Sequence, residues 1–135
     1  MKSITLDAKV DKLEEVLTFV DGALEEADCP MKAQMQVDVA VEEIFVNVAS
    51  YAYQGAEGSV TVEVDILQDP ARAAITFIDQ GVPYNPLAKE DPDVTLSAEE
   101  RQIGGLGIFI VKKTMDNVVY DRREEKNIFT IEKNF

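Results

Sequence analysis

Two hydrophobic periods alternate along the chain. In residues 8–27, AKVDKLEEVLTFVDGALEEA, the apolar positions Val10, Leu13, Leu17, Val20 and Leu24 fall three or four apart, which predicts an amphipathic helix. Asp28-Cys29-Pro30 interrupts it, and Pro30 suits the first position of a second helix, where a missing N–H costs no internal bond. That helix is expected to reach about Tyr53, with Val37, Ala40, Val41, Ile44 and Val48 on one stripe and QGAEG closing it. The period then changes to two. Residues 59–67, SVTVEVDIL, set Val60, Val62, Val64 and Ile66 against Thr61, Glu63 and Asp65, as a half-buried strand does.

Residues 72–79 read as a further strand that ends on Asp79, and residues 3–7 as a short one near the N-terminus. A third helix is expected over 106–116, followed by strands near 118–122 and 127–133 joined by RREEK. These elements predict an α+β two-layer sandwich, with helices on one face of a mostly antiparallel or mixed sheet. The 135 residues suit a single domain, 1–135, and no internal repeat divides it.

One stretch follows neither period. QGVPYNPLAKEDPDVTLSAEERQIGG, residues 80–105, holds three of the five prolines, and so long an irregular connection suggests a lid or binding loop. It runs into Gly104, Gly105 and Gly107, three of the seven glycines within four positions, and then into the apolar Ile108-Phe109-Ile110-Val111.

Charge narrows the chemistry. Thirteen basic residues against 26 acidic ones leave a net charge of −13, which repels nucleic-acid backbones. The absence of histidine excludes Ser-His-Asp triads, His-ligated zinc and autophosphorylation on histidine. Cys29 is alone, so no internal disulfide can form, and a reducing cytoplasm is the expected setting. No apolar run approaches the ~18 residues of a membrane span. The first residues also lack a secretory layout, so neither membrane nor nucleic acid is expected as a partner.

An anionic ligand would therefore have to be held by backbone dipoles or a metal ion. The first N–H groups of a helix have no internal partner and carry the positive end of its dipole, and glycines there let a polyphosphate approach. The same glycines would also serve a plain chain reversal. They do not form a Walker loop, since no Gly-Lys pair occurs, nor a dinucleotide fingerprint, whose spacing fails after Gly107.

Two other segments add chemistry. Glu43 and Asn47 are four apart and share a helix face. Asn offers a neutral oxygen to Mg²⁺, and Glu43 could accept a proton from an attacking hydroxyl, whereas Glu42 points about a hundred degrees away. Asp79 ends a strand just before Gly81, where its carboxylate could accept from the exocyclic amine of adenine. Guanine presents a carbonyl there, and an unpaired buried acceptor costs about 1–3 kcal/mol.

Together, Glu43-x-x-x-Asn47, Asp79-x-Gly81-x-Pro83-Tyr84-Asn85-Pro86 and Gly104-Gly105-Leu106-Gly107 resemble the N box and two glycine boxes of the GHKL ATPases, which include gyrase and the histidine kinases. The length and the wording GGLGIFIVKKTMD look most like bacterial anti-sigma factor serine kinases, and the likeness extends from about Pro30 to Phe135. The resemblance implies a Bergerat-type ATP-binding fold with ATP and Mg²⁺ as ligands. Asn47 would coordinate the metal, Glu43 would be the catalytic base, and Asp79 with Gly81 would read adenine. Gly104, Gly105, Leu106 and Gly107 would sit beneath the phosphates, Arg101 would reach the γ-phosphate, and Thr130 would touch the adenine. The lid would cover about 86–104. One departure is Tyr51-Ala52-Tyr53, where many of these kinases carry His-Ala-Tyr.

The implied activity is Mg-ATP-dependent phosphorylation of a serine or threonine on an anti-anti-sigma (STAS-domain) protein by a cytoplasmic homodimer that also binds a sigma factor. The alternative is a non-catalytic anti-sigma factor that sequesters a sigma factor and holds ATP as a structural ligand. A histidine-kinase fragment would have to act in trans, since the chain has no phospho-accepting histidine.

Overall fold

The computed structural model describes residues 1–88 and 106–135. Strand β1 (Lys2–Asp7) leads through a 3₁₀ turn (Val10–Lys12) into helices α1 (Leu13–Glu26) and α2 (Met31–Asn47). A π-helical turn (Val48–Ala52) extends α2, followed by strands β2 (Ser59–Leu67) and β3 (Arg72–Asp79). After a short 3₁₀ turn at Pro86–Ala88 come helix α3 (Leu106–Thr114) and strands β4 (Asn117–Arg123) and β5 (Lys126–Asn134).

Among the described residues the five strands form one sheet in the order β1-β2-β3-β5-β4, with every neighbouring pair antiparallel. Strand β5 therefore lies between β3 and β4, and its register sets Asn127 directly opposite Asp79. Alternation sorts the side chains. Val60, Val62 and Val64 of β2, Ile75 and Phe77 of β3, and Phe129 and Ile131 of β5 point into the core. The helices cover that face with Val16, Val20 and Leu24 of α1, Val37, Val41, Ile44 and Phe45 of α2, and Ile108 and Val111 of α3. The opposite face carries threonine pairs, Thr5 with Thr61 at 2.8 Å and Thr76 with Thr130 at 3.1 Å. The expected two-layer sandwich is the one observed, with the sheet antiparallel throughout the described strands.

Two helix boundaries differ from expectation, each for a local reason. Helix α1 begins at Leu13 and not at residue 8, and Val10 is 54% exposed. The chain before it is tied to the strand end, because Ala8 N–H donates to Gly58 O at 2.9 Å, and only after the 3₁₀ turn is it free to wind as a helix. Helix α2 stops at Asn47, and the next five residues wind more widely as a π turn. Such turns recur at functional sites. Here it delivers the Ala52 carbonyl to the N–H of Val82, 2.8 Å away. Among the described residues no helix is long and apolar enough to cross a membrane.

Candidate functional site

A cavity opens between the C-terminal end of α2 and the ends of β3, β4 and β5. Ile44, Val48, Ala52 and Phe129 supply apolar walls, Tyr84 and Tyr120 aromatic ones, and Asn47, Asp79 and Asn127 the polar groups. Ligand cavities commonly combine mostly apolar lining with a few placed polar groups in this way.

Asp79 is the acidic member. It lies on the inward face of β3, two residues beyond Phe77, and is only 5% exposed. Its Oδ1 accepts from Gly81 N–H and from Asn127 Nδ2, each at 2.9 Å. Both donors use one oxygen, which leaves Oδ2 for a donor in the cavity. Asn127 is equally enclosed and makes further bonds. Its Nδ2 also donates to Val82 O at 2.8 Å, while its Oδ1 accepts from the Tyr120 hydroxyl at 2.5 Å and from Tyr84 N–H at 3.4 Å.

The turn after Asp79 is pressed against the end of α2. A Cβ on Gly81 would lie 2.1 Å from the Ala52 carbonyl oxygen, so no other residue fits without moving backbone. Arg122 of β4 holds the same turn by donating from Nη1 to Gly81 O at 2.8 Å. In the Tyr51-Ala52-Tyr53 segment the two tyrosines do different work. Tyr53 donates its hydroxyl to Ser59 O at 2.6 Å and accepts from Gln80 N–H at 2.9 Å. Tyr51 sets its ring 5.9 Å from that of Tyr84.

Glu43 and Asn47 occupy successive turns of α2. Glu43 is half-buried, its neighbour Glu42 is exposed as its direction predicts, and Asn47 lines the cavity. Gly107 lies in the first turn of α3, and a Cβ there would stand 2.0 Å from Glu43 Oε2. The space this glycine leaves bare is thus filled by a carboxylate. Sequence reasoning placed a phosphate against it.

Glu43, Asn47, Asp79, Gly81 and Gly107 therefore gather around the second half of α2. Leu106 opens α3, while Arg101, Gly104, Gly105 and the expected lid beyond Ala88 lie outside the described residues. Thr130 requires a correction. It belongs to the outward face of β5, bonded to Thr76, and does not reach the cavity. The β5 residue beside Asp79 is Asn127, at the odd spacing shared with Phe129 and Ile131. A polar residue in step with that apolar face was the available signal, and it was missed together with Tyr84, Tyr120 and Arg122.

A two-layer sandwich with an acid at the end of an inner strand and a Glu-x-x-x-Asn helix beside a glycine-opened one defines a nucleotide-binding ATPase architecture. The sequence profile of the histidine kinase-like ATPase domain matches residues 6–133, and the chain belongs to that family. It is similar to the serine-protein kinase RsbW of Listeria monocytogenes serovar 1/2a, 28% identical over 121 residues, covering 86% of this chain and 76% of that one. The RsbW of Listeria innocua serovar 6a is 27% identical over the same length and coverage.

Among solved structures, the histidine kinase domain of the Erythrobacter litoralis EL346 blue-light activated kinase superposes with a TM-score of 0.55 at 17% identity, covering 90% of this chain. The chain spans 60% of the length of that structure. The Acinetobacter baumannii histidine kinase AdeS gives 0.50 at 15% identity, covering 99% of this chain and 68% of its own. At these identities the structures speak for the fold.

Proposed function

We propose that this chain binds ATP with Mg²⁺ and transfers the γ-phosphate to a serine or threonine of an anti-anti-sigma (STAS-domain) protein, acting as an anti-sigma regulatory kinase that also engages a sigma factor. The observation that carries this is the meeting of Glu43 with the bare first turn of α3, one helical turn from Asn47 at the cavity. The relatives named serine-protein kinase support the same reading.

The donor set suits the metal. Among the described residues no cluster of three or more His, Cys, Asp or Glu could cage an ion, and Asn47 offers one neutral oxygen at the cavity wall. That is what an octahedral ion needs when it keeps its waters and takes its remaining ligands from phosphates. When bound, Mg²⁺ supplies charge neutralisation between phosphate oxygens, the main requirement of phosphoryl transfer.

The chain's own residues do the rest. Asp79 Oδ2 accepts an amine hydrogen from the base while apolar walls exclude water around it. The first-turn amides of α3 face the phosphates, and Glu43 takes the proton of the attacking hydroxyl, an effect typically worth 10²–10⁴-fold. Glu43→Ala is expected to keep Mg-ATP affinity and lose transfer of labelled phosphate to a STAS partner, whereas Asn47→Ala loses affinity. Transfer at the parental rate by Glu43→Ala would remove the base assignment. ATP binding by the parent without any label on the partner would favour a non-catalytic anti-sigma factor.

A further inference from the structure

The polar floor of the cavity is held jointly by the turn after β3 and by the β4–β5 hairpin. Asp79 sits at the end of β3, yet the side-chain amide that braces it belongs to β5 and a hydroxyl bonded to that amide belongs to β4. We infer that Asn127, its amide oriented by Asp79, Val82 and Tyr84 and reinforced by Tyr120, is a positioning residue that fixes the Asp79 carboxylate with Oδ2 toward the cavity as an acceptor. It thereby sets a preference for a base offering an amine hydrogen over one offering a carbonyl. This rests on the nucleotide reading of the cavity.

The argument turns on the two ends of an amide. As placed, Asn127 Nδ2 faces two acceptors, Asp79 Oδ1 and Val82 O, and its Oδ1 faces two donors, the Tyr120 hydroxyl and Tyr84 N–H. Every donor and acceptor of the amide is used. Reversed, its oxygen would oppose both acceptors and its NH₂ would oppose the Tyr84 N–H, in a site where Asn127 is only 5% exposed.

Only the Tyr120 hydroxyl could turn to suit either orientation, so it adds a bond to the observed one without creating it. With Asp79 Oδ1 occupied by Asn127 and Gly81, the carboxylate cannot rotate to offer that oxygen elsewhere. Oδ2 is what a ligand meets. An adenine amine satisfies it, while a guanine carbonyl sets acceptor against acceptor.

The test is calorimetry on the full chain with Mg-ATP and Mg-GTP between pH 5.5 and 8. The parent is expected to prefer ATP at every pH in that range. Asn127→Asp sets a carboxyl against Asp79, so ATP affinity should fall on the order of a hundredfold at pH 8 and recover on acidification, as one proton comes to bridge the pair. A merely structural role would show no such recovery. Tyr120→Phe should narrow the ATP-over-GTP ratio about three- to tenfold, the worth of one hydrogen bond.

ATP binding by Asn127→Asp that equals the parent's, or is equally weak at all pH values, overturns the inference. Should that variant melt below the assay temperature, Tyr120→Phe decides, and an unchanged ATP-over-GTP ratio overturns it. No heat from the parent with Mg-ATP would instead remove the nucleotide reading, and this inference with it.

Discussion

Gly81 and Gly107 are both bare, for different reasons with different consequences. At Gly81 an added Cβ meets the Ala52 carbonyl, a backbone atom whose position is fixed by its bond to Val82 N–H. Gly81→Ala must therefore shift the π turn or the β3 end, and overpacking of this kind typically costs about 1–3 kcal/mol. At Gly107 the added Cβ meets the end of a flexible Glu43 side chain. Gly107→Ala should consequently spare stability and displace the carboxylate, lowering single-turnover phosphate transfer more than ATP affinity. Glu43→Asp in that background, one methylene shorter, should regain part of the loss. Melting curves, calorimetry and single-turnover kinetics on the three variants separate these effects, and a Gly107→Ala protein that loses affinity while keeping turnover would contradict the contact's assigned meaning.

At the scale of elements, the packing of α1 against α2 contains a charge conflict. Asp21 of α1 and Asp38 of α2 each bury an Oδ1 atom with no hydrogen-bond partner. Burial first, then the neighbouring Asp21 and after it the charge of Glu25, push the Asp38 carboxyl from 3.8 up to about 7. Two carboxylates cannot bond one another, but one proton between them satisfies both. The same neighbourhood pushes the Cys29 thiol up, through burial first and the Asp38 charge second.

Because Asp38 holds its proton more tightly when folded than when unfolded, the native state carries the extra proton between about pH 4 and 7. Stability therefore falls as pH rises through that window, and the loss persists above it. Asp38→Asn should flatten this slope and raise the melting temperature above the parent's at pH 8. Melting curves from pH 5 to 8.5 check it, and parallel slopes for the two proteins would refute it.

The whole molecule carries a net charge of −13 and is proposed to bind a polyanion. Attraction must then be local, from helix amides and a divalent ion, while the long-range field repels. Added salt screens that field, with a Debye length falling from about 30 Å at 0.01 M to about 8 Å at 0.15 M. Association of Mg-ATP, followed by stopped flow, is expected to accelerate across this range, opposite to the slowing shown by a basic nucleotide-binding surface. A rate that falls with salt would mean that cationic side chains, and not backbone dipoles, dominate the approach.

Spacing within one element is fixed by backbone geometry, and what depended on it alone was legible in the chain. The valines of β2 had to share a face, Glu43 and Asn47 had to share another, and Asp79 had to end a strand. Even Gly81 and Gly107 could be singled out as positions where bare backbone mattered. What each glycine leaves room for could not be read, because the Ala52 carbonyl and the Glu43 carboxylate arrive from another element. The same holds for Thr130 and Asn127. The odd spacing of Asn127 with Phe129 and Ile131 hinted at the inward face of β5, but only pairing with β3 set Asn127 opposite Asp79. The sequence by itself determined which side chains travel together along each helix and strand. The tertiary structure decided which of those sets meet, because sheet register and helix docking are settled by contacts among residues far apart in the chain.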